Sequence, residues 1–308
     1  MTAPTPIAPD TWTIPIPIAP IGMSPPQTNC VVLVDRQDVH LVDAGEDTGE
    51  ALAALLAGLA ELGLAPERVR TVTATHLHRD HLGLAGPLHE RYGAEIVLHR
   101  LEQQSLDEGT LGPSTDRATL ERWGVPTERW AELLEPSATA AALLPAAATV
   151  LVEDGERLPI AGRELRVVHT PGHTAGHIAI HEPARGLLLT GDHVLFDQFP
   201  GVGLGGRSEN ALRDYLRSLD RTPVDGVTTT VPGHGRQDRP LAERVAEIGA
   251  HHRRRTEEAA AALREVERPA VWEVARRLTW SRGWEGMRGY TLRSALAQVE
   301  MHLGLLTG

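Results

Sequence analysis

Lysine is absent from this chain: all thirty basic residues among its 308 are arginines. That excludes a lysine nucleophile, a Schiff base and a Walker-type phosphate-binding lysine. Cys30 is the single cysteine, so neither an internal disulfide nor a cysteine-rich zinc site can form. It stands in the apolar run NCVVLV and reads as a small buried hydrophobe. Aromatic residues make up 4% of the chain, which leaves few platforms on which bases could stack. No stretch approaches the roughly 18 uninterrupted apolar residues of a membrane span. The N-terminal MTAPTPIAPDTWTIPIPIAPIG lacks the basic start of a signal peptide and is broken by prolines. It reads as an extended lead-in, and a cytoplasmic location is expected.

What is present suits an enzyme core. At 41% hydrophobic residues the chain can bury one catalytic domain plus a small extension. The net charge of −11 argues against a nucleic-acid partner, although a local basic groove could survive it. CVVLVDRQDVHLVDAG has two β-rich runs around a polar turn, the pattern of a hairpin. In TGEALAALLAGLAELGL the leucines follow helical spacing, with Asp47 or Thr48 to cap the start and Gly63 to end it. VRTVTAT and AEIVLH read as strands flanking a short helix, LGLAGPLHERYG, and so imply an α/β layer architecture. Residues 101–148 differ: ATLERWGVPTERWAELL and ATAAALLPAAA read as helical with no strand between. The β pattern resumes through TVLVEDGERLPIAGRELRVVHT, HIAIHEPARGLLLTGDHV and GVTTTV, the last preceded by the helix ENALRDYLRSLDR. Residues 241–308 read as helical.

The densest chemistry lies in ATHLHRDHLG, where His76, His78, Asp80 and His81 fall within six positions directly after a strand. Three further strand-then-ligand junctions follow: LRVVHTPGH leads to His173, GLLLTGD to Asp192 and VTTTVPGH to His234. A strand end holds a side chain rigidly while the next loop leaves it accessible. Seven such residues suit two divalent ions, with three terminal ligands each and one bridging carboxylate. Gly172, Gly191 and Gly233 each precede a candidate ligand and let the backbone turn tightly there. No G-x-S-x-G motif is present to supply a serine nucleophile.

These motifs, in this order over roughly residues 12–240, resemble the metallo-β-lactamase superfamily. The H-x-H-x-D-H motif stands as His76-Leu77-His78-Arg79-Asp80-His81, and the later markers as His173 in TPGHTAGH, Asp192 in TGDHV and His234 in PGHG. The resemblance implies an αββα four-layer sandwich; residues 101–148, a long helical excursion between strands, read as a lid-like insertion. It implies two Zn²⁺ ions, one on His76, His78 and His173, the other on Asp80, His81 and His234, with Asp192 bridging. Iron or manganese would also accept such ligands. The redox diiron branch has glutamate where His78 stands, a departure that favours hydrolysis. A mononuclear-iron sulfur-dioxygenase branch carries the same histidine motif and stays open. Asp80 would orient the nucleophile as the catalytic carboxylate, and a zinc-bound hydroxide would attack the substrate. Asp43, in HLVDAG, would brace the metal loop from behind, and His193 would be a hydrogen-bonding neighbour, as would His177.

The substrate side is thinner. HHRRR, residues 251–255, lies in a long helix, and an inward His252 or Arg255 would bind a substrate anion. Residues 241–308 resemble the winged-helix-like appendage of a superfamily branch that contains an endoribonuclease. Their eleven arginines and nine acids leave little net charge for RNA. The expected reaction is hydrolysis of a small thioester, lactone or ester. The alternatives are an endoribonuclease or phosphodiesterase, and an iron sulfur-dioxygenase. No nucleic-acid or membrane partner is expected, and a homo-oligomer stays open.

Overall fold

The computed structural model describes residues 3–18, 27–110, 112, 115–134, 147–281 and 283–307. Its first sheet runs in spatial order β1 (Thr5–Ala8), β2 (Thr11–Pro17), β3 (Gln27–Asp35), β4 (Asp38–Val42), β5 (Val69–Thr73), β6 (Glu95–His99) and β7 (Val150–Val152). The first four strands pair antiparallel and the last three join in parallel. The second sheet is ordered β11 (Thr229–Pro232), β10 (Leu187–Gly191), β9 (Ile178–Glu182), β8 (Arg166–His169), with only β10 and β11 parallel. Ten helices complete the described chain: α1 (Gly49–Glu61), α2 (Arg79–Leu82), α3 (Ala85–Tyr92), α4 (Arg100–Asp107), α5 (Arg117–Trp123), α6 (Trp130–Leu134), α7 (Ala211–Arg221), α8 (Leu241–Glu265), α9 (Val271–Ala275) and α10 (Gly289–Leu306).

Strand alternation builds the layers. In β3, Val31 and Leu33 point between the sheets and meet Val167, Ile180, Leu189 and Val231 of the second sheet. Their neighbours Cys30 and Val32 point the other way, onto Leu55 and Leu59 of α1 and Leu88 of α3. On the far face of the second sheet, Ala179 and Leu188 pack beneath Leu212, Tyr215 and Leu219 of α7 and Ile248 of α8. The result is the expected αββα sandwich. Thr48 is the residue that caps α1, its side chain accepting the Ala51 N–H at 3.1 Å.

The extended N-terminal lead-in is paired into the first sheet, for β1 and β2 form a hairpin. Thr11, Trp12 and Thr13 pair with β1 on one side, and β2 pairs with β3 on the other. Pro15 and Pro17 lie beyond the last β1 partner, where no ladder N–H is needed. Ile14 and Ile16, which alternate with these prolines, are buried.

A further core joins Leu120 and Trp123 of α5 and Leu133 of α6 to Ala259, Trp272, Leu292 and Leu296 of the C-terminal helices. The described part of 101–148 thus packs on the C-terminal helices. Most of ATAAALLPAAA lies outside the described residues. Helix α8 serves both parts, covering the second sheet with its first turns and entering the helical appendage with its last. No described helix is long and apolar enough to cross a membrane.

Leu189 is 2% exposed between the sheets, whereas Leu151 on the edge strand β7 is 39% exposed. Leu189→Ala should therefore cost about 2–5 kcal/mol and Leu151→Ala less than about 0.5 kcal/mol. Urea denaturation midpoints at unchanged slope check this, and equal costs would contradict the inter-sheet core.

Candidate metal centre

Four strand ends converge at one edge of the sandwich. Beyond β5 the chain turns through His76 and His78 into α2, whose first turn carries Asp80 and His81. His173 follows β8, Asp192 follows β10 directly and His234 follows β11. Close approach of these turns demands glycine at two positions. A Cβ on Gly233 would lie 2.4 Å from Asp192 Oδ1, and one on Gly172, at φ 141°, would lie 2.3 Å from Tyr215 Cβ.

The structure brings all seven predicted ligands together. His78 Nδ1 is 2.8 Å from His76 Nε2 and 3.1 Å from His173 Nε2. On the other side His234 Nε2 is 3.2 Å from His81 Nε2 and 3.3 Å from Asp80 Oδ2. Asp192 lies between the groups, with Oδ2 at 3.7 Å from His173 Nε2 and 3.5 Å from His234 Nε2, and Oδ1 at 3.7 Å from His81 Nε2. Zinc–nitrogen bonds of about 2.0–2.1 Å give a tetrahedral edge of about 3.3 Å, within the spread of these separations. His76–His78–His173, His76–His81–Asp192 and Asp80–His81–His234 each form a set able to hold an ion.

The outer partners decide which ring nitrogens face inward. His173 Nδ1 donates to Gly201 O at 2.7 Å, His234 Nδ1 to Gln27 O at 2.9 Å and His78 Nε2 to Leu204 O at 3.1 Å. A carbonyl only accepts, so those nitrogens carry the protons. His81 Nδ1 stands 2.9 Å from Asp43 Oδ2. Thr75 Oγ1 donates to the same carboxylate at 2.9 Å and so accepts from His76 Nδ1 at 3.0 Å. Each of the five rings therefore turns a lone pair inward. Asp192 Oδ1 is buried there without a hydrogen-bond donor among the described residues. Facing lone pairs and carboxylates are what a pair of divalent cations would satisfy, and the donor set fits them.

The electrostatics agree. Burial works to depress His81 and His234, yet Asp43, Asp80 and Asp192 hold His81 up to about 9. Asp192 and Asp80 hold His234 up to about 12. His173, where burial and the His78 ring dominate, falls to about 4. Burial would raise Asp80 and Asp192, but His81 and His234 keep both below the usual carboxylate range.

Asp43, at φ 58°, does sit behind the centre, gripping His81 and accepting the Thr75 N–H at 2.8 Å. His193 turns away: its Nε2 meets Thr222 Oγ1 at 2.7 Å. His177 is the ring that touches one of the seven, its Nε2 accepting the Asp192 N–H at 3.0 Å while Nδ1 donates to Thr170 Oγ1 at 2.8 Å. His252 is buried behind Tyr215, ring centroids 5.5 Å apart, and neither of its nitrogens has a hydrogen-bond partner among the described residues. Arg255 lies over Trp280 at 4.8 Å and donates to Thr279 O at 3.0 Å and to Glu258, away from the seven. Thr75, the carbonyls of Gln27, Gly201 and Leu204, and Glu102 escaped the sequence reading. The carbonyls leave no trace in residue identity, and Glu102 lies in no motif.

Residues 23–234 match the family model of the metallo-beta-lactamase superfamily. An uncharacterized protein of Mycobacterium leprae is 30% identical over 230 residues, 73% of this chain and 93% of its own. Hydroxyacylglutathione hydrolase GloC of Haemophilus influenzae is 29% identical, covering 68% of this chain and 86% of its own. The crystal structure of a metallo-beta-lactamase family protein from Thermus thermophilus superposes with a TM-score of 0.74 at 31% identity, over 97% of this chain and 93% of its own.

Asp192→Ala should lower the occupancy of both metal positions, while His78→Ala should empty one, each with an unchanged far-UV dichroism spectrum. Full two-ion stoichiometry in Asp192→Ala would contradict a bridging role. The raised His81 and His234 rings are charged in the metal-free protein at neutral pH, and a metal takes them deprotonated. Zinc binding should thus release protons and tighten as pH rises. Calorimetry in buffers of different ionisation enthalpy reads that release, and its absence would contradict the inward lone pairs.

Proposed function

Because the chain belongs to the metallo-β-lactamase superfamily and has the fold of its hydrolases, we propose that it hydrolyses a small acyl compound, a thioester in the first instance, with two zinc ions. The observation that carries this reading is the convergence of five imidazole lone pairs and two carboxylates on one buried space. His76, His78 and His173 would hold one ion, Asp80, His81 and His234 the other, and Asp192 both. Such ions, when bound, polarise a carbonyl oxygen and bring the pKa of water towards about 7.

The chain's own groups set the rest. The Asp80 side chain is 16% exposed, against 5% or less for Asp192, His81, His173 and His234. It is the carboxylate on the open side of the cluster, held deprotonated and aimed with Oδ2 between His81 and His234. That placement suits a group that orients a water molecule and accepts its proton. Asp43, Thr75 and the three carbonyls hold the rings in the tautomers that leave Asp80 this task.

The thioester preference draws on the similarity to hydroxyacylglutathione hydrolase GloC. A cavity of about 620 Å³ lies beside the His173 turn, with Trp123, Gly172, Thr174 and Met301 in its wall, but none of the seven metal-holding candidates lines it. The scarcity of aromatic residues and the net charge of −11 weigh against RNA.

The test compares kcat/KM for acyl thioesters and lactones with cleavage of labelled single-stranded RNA at matched zinc loading. Thioester hydrolysis should vanish on chelation, return with zinc, and fall by about 10²–10⁴-fold in Asp80→Asn, with KM little changed. Zinc-dependent RNA cleavage without acyl hydrolysis would replace this reading by a nuclease. Iron-dependent oxygen uptake with a persulfide substrate would replace it by a sulfur dioxygenase.

A further inference from the structure

Glu102 lies in the first turn of α4, fully buried, and takes backbone donors from both sheets. Its Oε2 accepts the Leu77 N–H at 2.7 Å, at the residue between His76 and His78. Its Oε1 accepts the Gly176 N–H at 2.5 Å, on the turn that carries His173. The first turn follows β5 of one sheet, and the second joins β8 to β9 of the other. Gly176 is built against this side chain, since a Cβ there would lie 2.6 Å from Glu102 N and 2.8 Å from Glu102 Oε1. Helix α4 is itself seated on both sheets. His99, the last residue of β6, accepts the Leu101 N–H and stacks on His169, the last residue of β8, with centroids 4.4 Å apart and planes 12° from parallel.

We propose that Glu102 is a positioning residue: it fixes the distance between the His76–His78 turn and the His173 turn, and so governs metal affinity at the three-histidine position. That position is the one that needs ligands from both turns. The other set, Asp80, His81 and His234, leans on Asp43 and on the Gln27 carbonyl, whereas Glu102 bonds the turns of His76–His78 and His173. Burial pushes the Glu102 carboxyl up to about 7 against the pull of its hydrogen bonds. A carboxylate held at that cost, with two N–H groups aimed at it, is suited to geometry and not to charge. The inference rests on the metal assignment of His76, His78 and His173.

Glutamine at 102 would turn one oxygen and one NH₂ towards two N–H donors, so one of the two bonds is lost. The experiment is titration of the metal-free full chain with cobalt(II), followed by visible absorption and stoichiometry, for wild type, Glu102→Gln, Glu102→Asp and Gly176→Ala. His78→Ala, which lacks one of the three histidines, supplies the reference for loss of that position. Wild type should bind two ions. Glu102→Gln and Gly176→Ala should weaken one of them by about 10–100-fold, with the His78→Ala pattern of absorption, and Glu102→Asp should recover part of the loss. Unchanged affinities in Glu102→Gln would overturn the inference. So would equal weakening of both ions with a lowered melting temperature of the metal-free protein, because that marks a general packing defect. If wild type binds no cobalt, the metal assignment itself fails, an outcome separate from either.

Discussion

A neutral imidazole has one proton and one lone pair, and which way it faces is decided by what stands behind the ring. Here carbonyls of Gln27, Gly201 and Leu204 and the Thr75 hydroxyl each take a ring proton on the outer side, and the Asp43 carboxylate stands 2.9 Å behind His81 Nδ1. Five lone pairs are thereby committed to an inner space that also receives Asp80 and Asp192. The carboxylates Asp43, Asp80 and Asp192 hold His81, and Asp192 and Asp80 hold His234, well above an ordinary histidine. Everything else in the structure can be read as the means of keeping those outer acceptors in place.

The sandwich supplies the means. Two sheets packed face to face bring the ends of β5, β8, β10 and β11 to one edge, and hydrogen bonds cross between them there. Ile178 N–H donates to Thr75 O at 2.9 Å, and the Asn29 side chain holds Pro232 O at 3.0 Å and Gly235 O at 2.7 Å. The loop from Leu195 to Leu204 is tied to α8 by the buried Arg244, which donates to Leu195 O and Gln198 O, both at 2.6 Å. That loop carries the Gly201 and Leu204 carbonyls, so helix packing on the outer face reaches the His173 and His78 rings through the backbone. The C-terminal helices contribute to the centre by this route, and Arg255 and His252 lie in their packing and not at the ligands.

Much of this was legible in residue order. The seven converging histidines and aspartates, the glycines before three of them, the β3–β4 hairpin, the Thr48 cap and Asp43 all have side chains, or lack them, for reasons that act locally. Strand-to-ligand junctions announce themselves because apolar alternation stops where the histidine begins. The rest depends on contacts between distant segments. Pro15 and Pro17 look like breakers until β1 is seen to end short of them. His193 stands next to Asp192 in sequence and His177 four residues after His173, yet it is His177 that meets the Asp192 N–H while His193 faces Thr222. Backbone carbonyls that orient rings carry no mark in the sequence, and Glu102 looks like any helix glutamate until its two donors are in view.

The central claim, that these inward lone pairs and carboxylates form a two-metal centre, is tested most directly by anomalous diffraction from crystals grown with zinc and measured on either side of the zinc absorption edge. The account predicts two peaks, one bounded by His76, His78 and His173 and the other by Asp80, His81 and His234, with Asp192 reaching both. Absence of any peak among these seven residues, or a single ion bound by a different set, would contradict it.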